Sequence, residues 1–547
     1  MARKAQKKAV QKKASRSAKA RATPRKRAPK KTGSHDWAPY RADEKTVSSF
    51  VPAPRRLALA YANSYEVGMS SLGFQRVYEL IHHYEGWSAE RFFTNGTGRP
   101  LSVESDAPLD SFGCVAFSVS FEEDYLNLLS MLERSRIPMH RAERHDGHPL
   151  IVMGGSCASI NPLPMSAFVD VFALGSAENL LPALLPILGD LHDREALLDR
   201  LAETPGYYVP SRHRPEDGDE LPKLRKLDLT LEQMREPGHL ATSSVITPHT
   251  EFANKFLVEM SRGCPEKCRY CWATFGMGKF RWHPSEYILE SFERARPITD
   301  QIGFLATAVG DHPEIGRLLG EAQRMGFRSS VSSIRIPAVK EEVLEPLYAS
   351  GARSITLAPE TGSDRLRFLM NKPIPNEVLL DKVRMIFAHG MTQLKLYFII
   401  GLPQEEDGDI QAIIDLAKQC REIMLERAAE TGVIGHIHLG CNLLIPKPYT
   451  PWQREAVLEE KELKRRIELL RKGVAKLANV SMSMMSPKQA IWQTFLSRSG
   501  SDAALPIERA ARGQSIASVM REFKSQIHPE VFQTFPRQLR WHFMRMG

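Results

Sequence analysis

The sequence predicts an α/β protein in which a doubly wound parallel sheet precedes a partial (βα)6 barrel and a helical C-terminal appendage. Three observations lead to this expectation. Short apolar segments alternate with amphipathic helical segments from about residue 55, and a second alternating series begins near residue 256. Charged helical sequence dominates from about residue 456. Regular alternation of strands and helices is typical of parallel sheets with helices on their faces.

The first series has buried-strand patterns at residues 57–61, 114–119, 150–153 and 169–174. Helical patterns at 72–84 and 122–135 lie between them. Glycines, among them Gly154, Gly155 and Gly175, come at the ends of the later strands. A doubly wound sheet binds ligands at the carboxyl ends of its strands, where glycine lets backbone approach closely. We expect a Rossmann-like ligand-binding domain over residues 50–200 and a linker over 201–245.

The second series contains six strand patterns, at residues 256–260, 302–306, 329–333, 354–357, 393–400 and 436–443. Helical patterns separate them at 284–295, 313–325, 339–349, 376–389 and 408–426. Six such units form part of a TIM-type barrel, which we expect over residues 246–455. Active sites of these barrels lie at the carboxyl ends of the strands. Residues 456–547 are expected to form a helical region.

Charge is distributed unevenly along the chain. The net charge of +10 comes from residues 1–31, which hold 14 Lys and Arg and no acid, and the remainder has 60 basic against 64 acidic residues. A segment without an apolar stretch to bury is expected to be disordered, so we predict a disordered basic tail over residues 1–35. It is expected to solubilise the protein or to contact polyanions.

Neither a membrane span nor a disulfide framework is expected. No apolar stretch reaches 18 uninterrupted residues. Four of the seven cysteines are scattered, at Cys114, Cys157, Cys420 and Cys441. Scattered cysteines argue against a secreted disulfide scaffold, and we expect a cytoplasmic protein.

The other three cysteines, Cys264, Cys268 and Cys271, lie within eight residues, directly after the first strand of the second series. Thiolates are the ligands that iron–sulfur clusters and zinc prefer. A structural zinc site requires four ligands. No fourth cysteine or histidine lies close to these three in sequence, and the nearest histidine is His283. Three thiolates on a 4Fe–4S cluster would leave one iron open for a substrate or cosubstrate.

The spacing Cys-x3-Cys-x2-Cys, with Tyr270 before the third cysteine, resembles the signature of the radical S-adenosylmethionine (SAM) superfamily. The resemblance implies a 4Fe–4S cluster that binds SAM at its open iron and cleaves it reductively to a 5′-deoxyadenosyl radical. It also implies an electron donor such as a flavodoxin or a ferredoxin, and a substrate that the sequence does not identify. No catalytic residue is assigned.

Segments at later barrel strands resemble the same superfamily. Glu360, in Leu-Ala-Pro-Glu-Thr-Gly, matches a fourth-strand glutamate that accepts hydrogen bonds from the SAM nucleoside. Gly401 matches a fifth-strand glycine where backbone approaches SAM, and Ser333 and Arg335 match third-strand contacts to SAM. The alternative role for Arg335 is a structural ion pair. Many relatives have Gly-Gly-Glu after the second strand, whereas residues 306–311 here read Ala-Thr-Ala-Val-Gly-Asp, with Thr307 and Asp311 as candidate substitutes.

The resemblance covers roughly residues 55–530. The arrangement is similar to that of a poorly characterised group in which a cobalamin-binding-like domain precedes the radical SAM barrel. Shared landmarks are Asn63 to Gly73, Gly154-Gly-Ser, Asn161-Pro, residues 170–178 and residues 445–451. The loop Asp-x-His-x-x-Gly, whose histidine ligates cobalt, is missing, and Tyr65 stands in its place. Cobalamin binding is left open.

Three functions are compared on this basis. The first is a radical SAM enzyme, with methyl transfer as its reaction if cobalamin binds. The second is a methylthiotransferase that acts on tRNA or a ribosomal protein. Such an enzyme carries a second cluster on three N-terminal cysteines, and only Cys114 and Cys157 are available there. The third is an RNA-associated protein with a structural metal and a basic arm.

Overall fold

The computed structural model describes residues 33, 35–48, 50–190, 192–214, 224–535 and 539–546. Most of the predicted basic tail therefore lies outside the described residues. Two parallel α/β units make up most of the described chain, and they confirm the predicted fold class. The first is a six-stranded sheet, and the second is a barrel that is split into two four-stranded sheets.

The strands are numbered in chain order. They are β1 Lys45–Thr46, β2 Arg55–Tyr61, β3 Trp87–Phe92, β4 Cys114–Ser118, β5 Leu150–Gly154, β6 Val171–Ala173, β7 Tyr207–Tyr208, β8 Leu224–Arg225, β9 Val245–Ile246, β10 Phe256–Arg262, β11 Arg281–Trp282, β12 Gln301–Ala306, β13 Arg328–Val331, β14 Ser354–Glu360, β15 Gln393–Ile400, β16 His436–Leu443, β17 Val480–Met484 and β18 Met544–Arg545.

The α-helices follow the same scheme. They are α1 Ala38–Asp43, α2 Tyr65–Gly68, α3 Leu72–His83, α4 Asp124–Arg134, α5 Ser156–Ile160, α6 Ala177–Asp190, α7 Arg194–Glu203, α8 Leu231–Met234, α9 Trp272–Gly276, α10 Ser285–Ala295, α11 Ile315–Arg324, α12 Glu341–Ala349, α13 Asp364–Leu369, α14 Asn376–Ala388, α15 Asp407–Thr431, α16 Glu460–Val474, α17 Pro487–Arg498, α18 Ala504–Ala511, α19 Ile516–Glu522 and α20 Lys524–Phe532.

The N-terminal sheet has the strand order β3-β2-β4-β5-β6-β7. The neighbours are parallel as far as β6, and β7 is antiparallel to β6. The central strands are buried on both faces, as expected when helices cover a parallel sheet on both sides. All four predicted strands of this unit are present, and their carboxyl ends form one common edge.

The sequence analysis did not predict strand β3, because some of its buried residues are charged. Arg91 is almost fully buried between Glu44, at 2.7 Å, and Glu104, at 2.6 Å. Glu90 accepts hydrogen bonds from Ser102 at 2.6 Å and from Arg56 at 2.9 Å. Because these partners come from outside the strand, its own sequence does not show the apolar pattern of a buried strand.

All six predicted barrel strands are present, as β10, β12, β13, β14, β15 and β16. Strands β10, β12 and β13 are parallel neighbours, and so are β14 to β17. Strand β17 is a seventh parallel strand that the sequence analysis assigned to the helical C-terminal region. Its side chains are mostly half-buried, so it lacks the continuous apolar run of the other strands.

The C-terminal helices join the two units through a buried polar cluster. Glu122, after β4, is 2% exposed and forms an ion pair with Lys447. Ser497 of α17 donates to Glu122 at 2.5 Å, and Gln493 of α17 donates to it at 3.1 Å. Asn161 donates to the carbonyls of Ser497 and Ser499. The landmarks Asn161-Pro and Ile445-Pro-Lys-Pro are therefore points at which α17 is held.

No α-helix within the described part of the chain has both the length and the apolar character that crossing a bilayer requires.

Candidate active site

The three clustered cysteines lie on one loop between β10 and α9. Cys268 is buried, and Cys264 and Cys271 are half-buried. Gly263 turns the chain at the end of β10 with φ of +75°, and a Cβ there would lie 2.7 Å from the carbonyl oxygen of Gly278. Only glycine tolerates both the left-handed conformation and this close approach. The loop therefore begins its turn at the carboxyl end of the first barrel strand, as the sequence predicts.

The conformation of this loop is held by neighbouring backbone. The amide of Arg269 donates to the carbonyl of Met370 at 2.9 Å, and Asn371 donates to that of Lys267 at 2.8 Å. Thr274 donates to the carbonyl of Glu266 at 2.6 Å. These bonds come from the segment after α13 and from α9. The loop that carries the cysteines is thus held by the surrounding fold.

The three thiols influence one another electrostatically. Burial raises the pKa of Cys268 to about 12, and the thiols of Cys271 and Cys264 add to the rise, whereas Lys372 opposes it. Among the described residues, no three His, Cys, Asp or Glu side chains stand close enough to hold a single metal ion. In a 4Fe–4S cluster each protein thiolate binds a different iron, so three neighbouring thiols suit a cluster without meeting at one point.

Glu360 lies beside this loop, at the bulged end of β14. Its carboxylate accepts a hydrogen bond from the hydroxyl of Tyr270 at 2.6 Å and another from Lys372 at 2.8 Å. Glu360 is 7% exposed and has φ of +67°, a strained value for a residue that is not glycine. The structure therefore brings together Tyr270 and Glu360, two of the residues selected from the sequence. The sequence analysis did not select Lys372.

Gly401 follows the end of β15 and has φ of +83°. Its amide donates to the carboxylate of Glu405 at 2.9 Å, and that carboxylate accepts from Arg466 of α16 at 2.7 Å. The glycine is required for the turn, and the C-terminal helix supports it. Gly401 lies at the same end of the barrel as Glu360, because β14 and β15 are parallel neighbours.

Arg335 and Ser333 lie in the segment after β13, and they differ in their surroundings. Arg335 pairs with Glu266 of the cysteine loop at 2.6 Å and with Asp311 at 3.0 Å. This is the structural ion pair that the sequence analysis gave as its alternative role. Ser333 is half-buried. Asp311 is thus engaged by Arg335, and the hydroxyl of Thr307 donates to the carbonyl of Gly263 next to Cys264.

A large cavity separates the N-terminal sheet from the barrel. It holds ≈ 1630 Å³ of atom-free space, its solvent-open mouth included. One wall is the carboxyl edge of the sheet, with Ser118, Gly154 and Gly175. The opposite wall contains Thr307 and also Trp272, which directly follows Cys271. The cavity therefore lies where a doubly wound sheet binds its ligand, and it reaches the cysteine loop.

The glycines around this cavity have two different roles. A Cβ on Gly155 would lie 2.5 Å from the carbonyl oxygen of Val119, and one on Gly175 would collide with backbone of Leu227. These two glycines are required by the protein's own packing. A Cβ on Gly154 would lie 3.8 Å from Ala173, and one on Gly73 would have its nearest neighbour, Ser71, at 4.0 Å. Gly154 and Gly73 leave space that a ligand can use.

The barrel side of the cavity is polar and highly charged. Arg262 binds Glu178 of the N-terminal unit and Glu259 of β10, each at 2.9 Å. Although burial opposes the effect, Arg262 and His283 lower the pKa of Glu259 to about 2. This network joins the two units across the cavity. The sequence analysis did not predict it, although Glu178 ends the landmark segment of residues 170–178 and Arg262 lies two residues before Cys264.

Four buried donors at the cavity have no hydrogen-bond partner among the described residues. They are the hydroxyl of Ser261, the indole N–H of Trp272, the Nε–H of Arg281 and the Nε–H of Arg76, which lies 3.6 Å from the Glu178 carboxylate. Trp272 lies flat on Gly276, where any Cβ would collide with its ring, and the Lys226 ammonium is 5.4 Å from the ring centre. Buried polar groups are nearly always satisfied, so these donors are available to a ligand or to ordered water that offers acceptors.

Two family models match the chain. Residues 258–417 match the radical SAM superfamily, and residues 73–210 match a model of the N-terminal region of radical SAM proteins. An uncharacterised protein of Methanocaldococcus jannaschii is 23% identical over 473 residues, which are 86% of this chain and 94% of that protein.

A tRNA-2-methylthio-N(6)-dimethylallyladenosine synthase of Thermotoga petrophila is 26% identical over 178 residues, covering 29% of this chain and 39% of that enzyme. Among solved structures, the radical SAM methyltransferase TsrM from Kitasatospora setae, with cobalamin and a 4Fe–4S cluster bound, has a TM-score of 0.52. It is 13% identical, and the match covers 86% of this chain and 99% of that one. The two proteins share a fold.

Proposed function

Because the chain belongs to the radical SAM superfamily, we propose that it is a cobalamin-dependent radical SAM enzyme whose reaction is methyl transfer. Cys264, Cys268 and Cys271 hold the 4Fe–4S cluster, and the corrinoid binds in the cavity between the N-terminal sheet and the barrel. When bound, the cluster supplies an electron that cleaves SAM, and the corrinoid supplies a carrier for a methyl group. The observation that carries the proposal is the cavity itself, which joins the ligand edge of the sheet to the cysteine loop.

The chain's own residues would fix the position of SAM beside the cluster. Glu360 offers a carboxylate, an acceptor-only group that suits nucleoside hydroxyls. Lys372 and Tyr270 hold that carboxylate in place through hydrogen bonds of 2.8 and 2.6 Å. Arg335 supports the cysteine loop from the opposite side through Glu266. We therefore assign Glu360 to SAM binding and Arg335 to loop positioning.

The cavity residues suit a corrinoid in two respects. The open space at Gly154 and Gly73 admits a bulky ring against the sheet edge. The unpartnered donors of Ser261, Trp272 and Arg281 fit the amide carbonyls that surround a corrin ring. TsrM, which shares the fold, has cobalamin and a 4Fe–4S cluster bound.

The corrinoid would bind without a histidine ligand from the N-terminal loop. Tyr65 occupies the position of the missing histidine, and it is fully buried with its hydroxyl directed at Glu44. His82 of α3 packs against Phe50 and Tyr78 instead. No histidine is among the described residues that line the cavity. The residues that would hold the corrinoid on this side are therefore those of the sheet edge, such as Gly154.

The methylthiotransferase alternative is not favoured by the N-terminal cysteines. Cys114 begins β4, at the amino end of the sheet, whereas Cys157 lies in α5, after the carboxyl end of β5. Both are buried, and burial raises the pKa of each thiol, to about 12 for Cys114. Two inert thiols at opposite ends of a sheet cannot share a cluster.

The enzyme also requires a reductant, which we propose to be a flavodoxin or a ferredoxin, and a substrate. We place the reaction in the cytoplasm, because reducing conditions preserve both the cluster and the seven free cysteines. The basic tail would serve as an arm that contacts polyanions.

The test uses protein reconstituted without oxygen with iron, sulfide and hydroxocobalamin, then passed through a desalting column. Wild-type protein is expected to retain about one corrinoid per chain, read from its visible spectrum, together with the cluster. Gly154→Val places a side chain in the open space of the cavity without a backbone clash, and it should abolish corrinoid retention while iron content is unchanged.

Gly113→Val is the matched control, since a Cβ there meets nothing within 4 Å, but Gly113 precedes β4 at the amino end of the same sheet. It should retain the corrinoid. Equal retention in both variants would show that the cavity is not the corrinoid site. Absence of retention in wild-type protein would remove the methyltransferase proposal and leave a radical SAM enzyme without cobalamin.

A further inference from the structure

The second sheet of the barrel has one face packed on helices and one face open to solvent. Apolar side chains of β15 and β16, such as Leu394, Leu396, Ile437 and Leu439, are fully buried in the main core. The alternating residues point the other way and are exposed or half-buried. Tyr397, for example, is 42% exposed. A TIM-type barrel normally fills its interior with packed side chains, so this open inner face has space for a molecule.

Hydrogen-bond register arranges the inner residues in rows across the strands. One row contains Thr356, Lys395, His438 and Ser481, from β14, β15, β16 and β17. The next row towards the carboxyl end contains Tyr397, Gly440 and Ser483. A Cβ on Gly440 would lie 2.7 Å from the Tyr397 ring, so glycine is what lets the ring lie flat on the sheet.

The lower part of this face carries one ammonium group and two imidazoles. His438 contacts the hydroxyls of Ser481 at 2.9 Å and Ser483 at 3.0 Å, and His436 contacts Ser481 at 2.7 Å. Lys395 lies beside His438 in the row. Burial lowers the pKa of His438, and the nearby charges of Lys395 and His436 lower it further, so the imidazole is a neutral hydrogen-bonding group beside the Lys395 charge. Among the described residues, no carboxylate forms an ion pair with Lys395, His436 or His438.

The upper end of the same face reaches the candidate active site. Ile399, two residues beyond Tyr397 on β15, packs in a small apolar cluster together with Tyr270. Tyr270 binds Glu360 and precedes Cys271. From Ile399 down to Lys395 the strand advances four residues, or roughly 13 Å. A molecule that lies along this face can therefore have one end at the cysteine loop and the other end beside Lys395 and His438.

We infer that this face is the substrate site, and that the substrate is an elongated small molecule with a phosphate or carboxylate group. The inference rests on the proposed function and names its substrate class. Lys395 and His438 bind the anionic group, and the ring of Tyr397 covers the middle of the molecule. The reacting carbon lies on the order of 10 Å from the anionic group, since it must reach the carboxyl ends of the strands.

The experiment measures binding of pyrophosphate and citrate, as probes for the two anionic groups, to the reconstituted wild-type enzyme by calorimetry. An RNA oligonucleotide is titrated in parallel. Lys395→Met removes the ammonium group and His438→Gln removes the imidazole, and neither change adds bulk to the exposed face. The two variants are measured separately and combined. Lys418→Met on exposed α15 is the control for loss of one surface charge.

The inference predicts that at least one small anion binds, and that the combined variant binds it at least about tenfold more weakly. The better probe identifies the anionic group as phosphate or carboxylate, and the Lys418 control should match wild type. Binding that is unchanged in the combined variant overturns the inference, as does binding of neither anion. RNA binding that is weakened in the combined variant, with neither small anion bound, overturns it in favour of a nucleic-acid substrate.

Slow cleavage of SAM without substrate separates this inference from the proposed function. All four variants should retain their iron and release 5′-deoxyadenosine as wild type does, because their side chains lie below Glu360 and the cysteines. If wild-type protein itself fails to cleave SAM, the proposed function is wrong, whether or not pyrophosphate or citrate binds. If cleavage persists and the anion results are negative, only the substrate assignment fails.

Discussion

Replacing Lys447 with methionine tests whether the buried cluster around Glu122 holds the C-terminal helices to the N-terminal sheet. The change keeps the length of the side chain and removes its charge, which leaves the Glu122 carboxylate buried without a cation. Removing one partner of a buried ion pair costs about 3–5 kcal/mol. Ser497 and Gln493 still donate to the carboxylate, so we expect about 3 kcal/mol, the low end of that range.

The assay is urea unfolding followed by tryptophan fluorescence, with Lys488→Met on the exposed part of α17 as the control. That control should lie within about 0.5 kcal/mol of wild type. Combining Lys447→Met with Glu122→Gln should cost less than the two single changes together, because the second change removes the unpaired charge; we expect a coupling of about 1–3 kcal/mol. A Lys447 variant as stable as the control, or strict additivity of the pair, would refute this reasoning.

Three further predictions concern the cluster, SAM and pH. Cys264→Ala, Cys268→Ala and Cys271→Ala each remove an iron ligand and should each abolish the cluster; about four irons per chain in any reconstituted variant would contradict the ligand assignment. Glu360→Gln should weaken SAM binding by about 1.5–3 kcal/mol, as expected for a hydrogen bond to a charged group, while iron content stays unchanged; equal affinity by equilibrium dialysis would exclude Glu360 from the SAM site. Burial raises the pKa of Glu122, but Lys447 and the α17 donors outweigh it, and the pKa lies below its usual 4.5. A carboxyl whose folded pKa is depressed stabilises the protein above its unfolded pKa and loses that contribution as pH falls through the folded pKa. Wild-type protein should therefore lose more stability on acidification below pH 4.5 than Glu122→Gln, and parallel profiles would contradict this.

Local pattern was sufficient to predict most of the regular elements. Strands β15 and β16 begin and end where the alternating pattern predicts, because one face of each packs on helices and the other does not. Strand β3 could not be predicted in this way, since its buried Glu90 and Arg91 are neutralised by residues distant in sequence. Strand β17 was missed because its side chains are mostly half-buried and lack a clear apolar run.

The candidate site was only partly predictable. Cys264, Cys268 and Cys271 share one short loop, so their proximity follows from chain connectivity. Glu360 and Tyr270 were each selected by resemblance, but the hydrogen bond between them depends on how β14 packs beside the cysteine loop. Arg335 was also selected by resemblance, as a SAM contact, and that role stays a prediction; its ion pairs with Glu266 and Asp311 depend on how the segments after β10, β12 and β13 pack together.

The sequence by itself determined the class of protein, because a cluster motif and the periodicity of parallel α/β units are local properties. Only the tertiary structure decided what surrounds that motif. It placed the ligand edge of the first sheet against the end of β10, joined Arg262 to Glu178 across the cavity, and set Lys395 beside His438. Such contacts depend on strand register and on how separate units pack, and neither is encoded by the spacing of neighbouring residues.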